Sequence, residues 1–181
     1  MVIEQEALDV TAFWRDAGPE RWFEKNEAFD SSFRAAFAGL HMEAARRERE
    51  HWLDHPEGAL ALLILLDQYP RNCFRNTGHM YATDPLARHY CRRALALGHD
   101  QAIETNVRAF FYLPLTHSEV LSDQEDCVRY NESLGEPWLA HAIEHRDIVA
   151  RFGRFPHRNA MLGRETTPEE QAFLDAGGFA G

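Results

Sequence analysis

The chain has few cysteines and no long apolar run. Cys73, Cys91 and Cys127 are widely spaced, and without a C-x-x-C pair they argue against a disulfide framework and against a thiolate zinc site. No stretch approaches the ~18 consecutive apolar residues of a membrane span. The N-terminus carries acidic residues where a secretory signal would carry Lys or Arg. The sequence therefore predicts a cytoplasmic protein with no membrane partner.

The chain also lacks an excess of positive charge. It has 181 residues, 19 of them basic and 29 acidic, which gives a formal net charge of -10. Binding to a nucleic-acid backbone draws on a basic surface, so we expect no nucleic-acid partner. No glycine-rich phosphate loop of either common form is present. With 45% hydrophobic residues, the chain can build one core, and we predict a single all-helical domain over residues 1–181.

Strand patterns are missing, whereas helical periodicity is present along most of the chain. Between Asn26 and Glu50, apolar residues recur every three or four positions, the interval that lines one helical face. Elsewhere we expect helices to begin or end at stop and capping signals, namely Gly18-Pro19, Pro56, Asp84-Pro85, Gly98, Asp100, Pro114, Ser122–Glu125, Gly135, Pro137 and Thr167–Glu170. The predicted fold is all-α, with seven or eight helices in antiparallel pairs. Its architecture is tetratricopeptide-like, although no 34-residue period repeats.

The most apolar stretch, Ala59–Leu66, is predicted to form a central buried helix because Ala and Leu outnumber β-branched residues in it. Asp67 and Gln68 are interpreted as its last turn, and Pro70 as part of a turn that follows. A carboxylate is disfavoured at the C-terminal end of a helix and costly to bury unpaired. Asp67 is therefore expected to pair with an arginine, and the candidates are Arg71, Arg154 and Arg158.

The segment Leu66–Asn72 has the order aromatic, Pro, Arg, Asn, and the segment Arg151–Asn159 repeats it. The polar segment His117–Glu119 lies between the two. We expect the three segments to meet at one site that binds a small anionic molecule through Asp67, Gln68, Arg71, Asn72, Arg154, Arg158 and Asn159. In the alternative interpretation, arginines such as Arg71 and Arg158 bond the free carbonyls at helix C-termini.

Imidazoles supply the candidate catalytic groups. His117 and His157 follow prolines in loops or at helix ends, where an imidazole that titrates near neutrality can move protons. Glu119 can orient one of them. We predict these three as the catalytic residues of a hydrolysis or an elimination, with no cofactor assigned. His145 lies on the apolar stripe of its helix and is interpreted as a core residue.

The sequence His141-Ala142-Ile143-Glu144-His145 matches the inverted zinc-protease pattern H-x-x-E-H. A protease is not predicted, because that motif needs a third ligand from a suitable helix and none is recognisable. No metal is assigned from the sequence. A metal held by His117, Glu119, His145 and His157 is a looser alternative.

Three motifs, in order, resemble the bacterial family known as domain of unknown function 924. They are Ile64–Asn72, then Phe111–Pro114 with His117–Glu119, then Arg151–Asn159. The likeness runs over nearly the whole chain, from Phe13-Trp14 to the Thr167–Glu170 cap. The aromatic residue usual after Trp14 and the apolar residue usual at Thr116 are absent. The resemblance implies a tetratricopeptide-like all-helical fold, and it implies no activity, so no residue inherits a catalytic role from it.

Three functional interpretations remain at this stage. The first is a small-molecule enzyme or binder whose arginines hold an anionic group. The second is an interaction module with an arginine-lined groove for acidic peptide segments. The third treats the motifs as buried ion pairs that fix helix packing. We favour the first, because the two aromatic-Pro-Arg-Asn segments supply more donors than helix packing requires. The sequence predicts neither the substrate nor the oligomeric state.

Overall fold

The computed structural model describes residues 3–179, and its fold over that range is all-α, as predicted, with no β-strand. Short 3-10 segments at Glu50–Asp54, Gly78–Tyr81, His99–Ala102 and Pro156–Arg158 connect some of the helices. No helix in the described range is both long and apolar enough to cross a membrane. The helices are α1 (Gln5–Ala17), α2 (Pro19–Trp22), α3 (Glu27–Ala45), α4 (Pro56–Leu63), α5 (Tyr69–Cys73), α6 (Asp84–Ala96), α7 (Thr105–Thr116), α8 (Leu121–Glu132), α9 (Trp138–Phe152) and α10 (Pro168–Asp175).

The described chain divides into two compact units. The first holds the residues up to Arg75 together with His79–Pro114, and the second holds Asn76–Gly78 and the residues from Leu115 on. The single domain expected for residues 1–181 stays a prediction.

In the first unit, α1 packs on α4, α3 on α5, and α4 on α6. The periodicity prediction for α3 is confirmed, because Phe33, Phe37 and Ala44 are buried. Asn26 caps this helix by accepting a hydrogen bond from the Phe29 amide at 3.0 Å. The ring of Trp14, fully buried on α1, packs edge-on against Phe110 of α7. An aromatic core thus joins α1, α3 and α7.

The predicted turn at Pro70 is wrong. The chain continues from α4 through a π-helical stretch, Ile64–Gln68, directly into α5, so Pro70 lies inside a continuous helical segment. Proline lacks the amide donor of an ordinary helical turn and clashes with the carbonyl four residues before it. A π-helical turn is wider, and this explains how the helix continues through the proline.

Side chains supply the hydrogen bonds that this irregular turn leaves open. The Leu66 carbonyl, four residues before Pro70, accepts a hydrogen bond from the Thr83 hydroxyl at 2.5 Å. The Leu65 carbonyl is bonded to His41 Nδ1 at 2.9 Å. Because buried carbonyls need partners, these two bonds from other helices hold the π turn in place.

Two further helix boundaries differ from the prediction. Pro114 lies inside α7, which runs on to Thr116. The predicted capping box at Ser122 is absent, since α8 begins at Leu121 and its N-cap residue, Val120, makes no side-chain cap bond. The hydroxyl of Ser118 accepts from the Val120 amide at 3.2 Å and donates to Asp123 at 2.5 Å. The N-cap of α8 therefore lies two residues before the predicted one.

Asp84 and Asp100 were expected to cap helices. In the structure, each makes a different side-chain hydrogen bond. Asp84 is the first residue of α6, and its carboxylate bonds an arginine of α5. Asp100 lies in a 3-10 segment and accepts a hydrogen bond from the Tyr112 hydroxyl at 2.8 Å. In contrast, the αL stop at Gly98 is confirmed by its φ of 71°. The capping box at Thr167 is also confirmed, with both of its bonds present.

In the second unit, α8 packs along α9, and α10 packs on the 3-10 segment Pro156–Arg158. Its apolar cluster contains the buried residues Ile148, Val149 and Phe155 and the partly buried Phe152, Phe173 and Phe179. Phe155 is fully buried. The proline-containing segment that follows α9 is therefore anchored by its aromatic residue.

Candidate functional site

Two of the three predicted segments lie together in the second unit. The backbone amide of Phe155 donates to Glu119 Oε1 at 2.8 Å, and Arg158 Nη1 donates to the carbonyl of His117 at 3.0 Å. The Arg158 guanidinium also lies 4.4 Å above the Phe155 ring centroid. The loop after α7 and the 3-10 segment after α9 are therefore tied to each other by both backbone and side-chain bonds.

Glu119 is held by an arginine that the sequence analysis did not single out. Arg164 donates to both carboxylate oxygens, at 2.7 and 2.9 Å, and its Nε bonds Asn159 Oδ1 at 3.0 Å. Burial disfavours ionisation of Glu119, but the bonds from Arg164 and the Phe155 amide outweigh it and lower its pKa. Glu119 is therefore an ionised anchor between two segments.

A second ion pair supports the same loop. Arg154 donates to Glu170 at 2.6 and 2.8 Å, and Asn159 Nδ2 donates to Glu170 Oε2 at 3.2 Å. The hydrogen bonds from Arg154 lower the pKa of the buried Glu170 to about 2. Arg154 and Asn159, both predicted as ligand-binding residues, thus have carboxylate partners on α10, and their contact with a ligand stays a prediction.

Four imidazoles of the second unit interact with one another, and we call them the imidazole cluster: His117, His141, His145 and His157. The rings of His141 and His145 have centroids 4.1 Å apart. The ring centroid of Phe179 lies 6.2, 4.5 and 5.2 Å from the ring centroids of His141, His145 and His157. His117 is close enough for its charge to lower the pKa of the other three.

Three members of the imidazole cluster are neutral at pH 7. Burial, followed by the charges of His141 and His117, lowers the pKa of His145 to about 2. Burial and the charge of Arg158 lower the pKa of His157 to about 4, against the opposing effect of Glu119. Burial and His117 lower the pKa of His141 as well. Neutral imidazoles can accept a proton or bind a metal ion.

The ring of His157 has a buried nitrogen, Nδ1, that has no hydrogen-bond partner. His145, in contrast, bonds the His141 carbonyl through Nδ1 at 2.9 Å and is 2% exposed. The burial of His145 agrees with its interpretation as a core residue.

The third predicted segment lies in the first unit. The prediction that Asp67 pairs with an arginine is confirmed, since Asp67 Oδ1 is 3.1 Å from Arg71 Nη1. Arg71 also bonds Asp84 at 2.8 and 3.0 Å and the Asp67 carbonyl at 2.8 Å. Gln68 donates to Asp67 at 2.5 Å, and Asn72 donates to Asp30 at 2.7 Å.

Asp67, Gln68 and Arg71 therefore form a polar network with Asp84, and Asn72 pairs with Asp30, all within the first unit. The motif could not predict Asp84 or Asp30 as partners, because each lies on another helix of the chain. That this segment meets the other two at one site stays a prediction. A surface depression between α1 and α3, lined in part by Asp16, Arg21 and Asn26, contains none of the predicted site residues.

The H-x-x-E-H pattern has a structural counterpart. The ligand atoms of His141, Glu144 and His145 lie within 4.8 Å of one another. Within the described residues 3–179, the looser set expected from sequence, His117, Glu119, His145 and His157, does not form such a group. Both carboxylate oxygens of Glu119 accept hydrogen bonds from Arg164.

Comparison with known proteins gives a family and a related structure. The family model described as "Bacterial protein of unknown function (DUF924)" matches residues 10–178. A solved structure of a protein of unknown function from Agrobacterium tumefaciens is 55% identical in sequence, with a TM-score of 0.93, and the match covers 94% of this chain and 97% of that one. Comparison with curated proteins gives no match.

Proposed function

The chain belongs to the DUF924 family of bacterial proteins of unknown function, and we propose that its imidazole cluster binds a small anionic molecule and transfers a proton to or from it. The reaction class that suits such a site is a hydrolysis or an elimination, with His157 as the proton-transfer group. Glu119, Arg154 and Asn159 hold the loop that carries His157, and Arg158 supplies positive charge.

The observation that carries this proposal is the buried Nδ1 of His157, which has no hydrogen-bond partner. A buried polar nitrogen without a partner costs about 1–3 kcal/mol, and a bound ligand with a hydroxyl or an oxyanion would remove that cost. The loop around it is rigidly held by bonds at Phe155 and Arg158. A fixed, unsatisfied imidazole beside a guanidinium is a suitable receptor for an anion.

The electrostatics of His157 favour an anionic partner. Arg158, His117 and Arg164 all lower its pKa, and Glu119 is the charge that raises it. An anion bound beside the ring would act as Glu119 does and raise the pKa from about 4 toward neutrality. A proton-transfer group works best when its pKa is near the operating pH, so anion binding would activate His157.

The alternative, a tetratricopeptide-like module for acidic peptides, requires arginines that are available to a partner. In the second unit, Arg154 and Arg164 each bond a carboxylate of the protein, and Arg151 bonds Glu169. Because these charges are already neutralised in pairs, they offer little attraction to an acidic peptide.

A thermal-shift screen tests the proposal. Metal-free protein is heated with phosphate, small carboxylates and phosphate monoesters, because a ligand that binds the native state raises Tm. We expect a Tm increase with one of these classes that is lost in His157→Asn. His89→Asn, at an exposed histidine of α6 in the first unit, should keep it. A shift that survives in His157→Asn, or the lack of any shift in the unmodified protein, would refute the proposal.

A further inference from the structure

We infer that His141, Glu144 and His145 form a binding site for a divalent transition-metal ion of the Zn²⁺ type on one turn of α9. The three residues stand at positions i, i+3 and i+4 of a single helix. Side chains at this spacing share one face of a helix. Their ligand atoms lie within 4.8 Å of one another.

The donor set fits such an ion chemically. Zn²⁺ binds histidine nitrogens at about 2.0–2.1 Å and carboxylate oxygens at about 2.0–2.2 Å, usually in a tetrahedron. Neighbouring ligand atoms in such a tetrahedron are about 3.3 Å apart. Glu144 is exposed and His141 is half-buried, so both side chains can rotate to close the remaining distance. Two imidazoles and one carboxylate leave a further coordination position, as in catalytic rather than structural zinc sites.

The hydrogen bond of His145 prepares its ring for a metal. A carbonyl oxygen can only accept, so the 2.9 Å bond between Nδ1 and the His141 carbonyl places the proton on Nδ1. In the neutral ring, Nε2 then carries a free lone pair. Metal-binding histidines almost always donate their other ring N–H to a carbonyl or a carboxylate, which fixes the ring orientation. His145 has this arrangement without any change.

The surroundings of the His145 ring also match a metal site. Phe155 and Phe179 pack against His145 with ring centroids 5.4 and 4.5 Å away. An apolar wall of this kind limits access of water to the His145 ligand atom. This inference goes beyond anion binding at His157 and does not depend on it.

The experiment uses tag-free protein, because an oligohistidine tag binds the same ions. Co²⁺ is titrated into the protein and followed by its visible absorption, then displaced with Zn²⁺, and the stoichiometry is measured by equilibrium dialysis with metal analysis. We expect one ion per chain. His141→Asn and Glu144→Gln should each weaken binding by about tenfold or more. Both positions are at least partly exposed, so the variants should fold, which circular dichroism checks.

Two control variants make the result specific. His89→Asn should leave Co²⁺ binding unchanged, because His89 is exposed and lies outside the second unit. His157→Asn should also keep the metal, so a failure of anion binding and a failure of metal binding can be told apart. The inference is overturned if the unmodified protein shows no saturable Co²⁺ binding at millimolar concentrations. It is equally overturned if His141→Asn and Glu144→Gln bind as tightly as the unmodified chain.

Discussion

Replacing Glu170 with glutamine should destabilise the protein, because this carboxylate ties α10 to the loop after α9. It accepts hydrogen bonds from Arg154 Nε at 2.6 Å, Arg154 Nη2 at 2.8 Å, Asn159 at 3.2 Å and the Thr167 amide at 2.8 Å. Glutamine has nearly the same shape and preserves a capping box, which accepts either residue. The substitution therefore removes the negative charge and replaces one of the two accepting oxygens with an NH2 donor.

The size of the effect follows from the pKa of Glu170. Its pKa is about 2 in the folded protein against an ordinary value of 4.5, a difference that corresponds to about 3 kcal/mol of stability at neutral pH. The Arg154 side chain is 27% exposed, and solvent screening lowers this figure to about 2 kcal/mol. Because the folded-state pKa is depressed, the stabilisation is fully present above pH 4.5 and is lost as the pH falls toward 2.

Urea unfolding followed by circular dichroism at several pH values measures this effect. At pH 7, Glu170→Gln should lower the free energy of unfolding by about 2 kcal/mol, and the gap to the unmodified protein should shrink between pH 4.5 and pH 3. The neighbouring Glu169→Gln is the matched control, because Glu169 is 67% exposed and pairs only at the surface with Arg151. Its effect should stay within about 0.5 kcal/mol. A gap for Glu170→Gln that is equally small, or that is independent of pH, would refute the reasoning.

The remaining predictions concern the first unit and are checked by the same urea unfolding at pH 7. Gly58→Ala should destabilise by about 1–3 kcal/mol, because a Cβ at this position would lie 2.3 Å from the Trp52 carbonyl oxygen. Gly39 lies in the exposed middle of α3, with no atom within 4 Å of an added Cβ. Gly39→Ala should therefore stabilise by about 0.5–1 kcal/mol. If both variants changed the free energy of unfolding in the same direction, the packing argument would be contradicted. Thr83→Val should cost about 1–3 kcal/mol, because it leaves the buried Leu66 carbonyl without its donor, and a neutral result would show that the π turn does not need this bond.

Several elements were predictable because their causes lie within a few residues. The buried face of α3 follows from apolar side chains repeated at helical intervals. The start of α10 follows from the Thr167–Glu170 capping box, whose two reciprocal bonds span three residues. The stop after α6 follows from Gly98, which adopts the left-handed conformation that glycine favours.

The course of the chain at Pro70 was not predictable in this way. A proline after an apolar helix ordinarily ends it, and the sequence contains no local mark of a π turn. The bond that satisfies the Leu66 carbonyl comes from Thr83, 17 residues later. Only the packing of α6 against the π turn brings that hydroxyl to the carbonyl.

The partners of the candidate site residues were also decided at long range. The two oxygens of Glu119 bond Arg164, which lies 45 residues further along the chain, and its predicted role of orienting a histidine stays a prediction. Arg154 meets Glu170 16 residues away. Neither distance corresponds to a helical interval, so no periodicity analysis could have paired them.

The sequence by itself determined the all-α class, several helix boundaries and the family, because helical periodicity, capping boxes and motif order are properties of short stretches. It also located His117, Glu119, His145 and His157 as residues of interest. The tertiary structure decided which charges neutralise one another, and it left the buried Nδ1 of His157 without a hydrogen-bond partner. Those outcomes depend on which helices pack side by side, since hydrogen bonds and ion pairs form only between groups that the fold brings within about 3 Å.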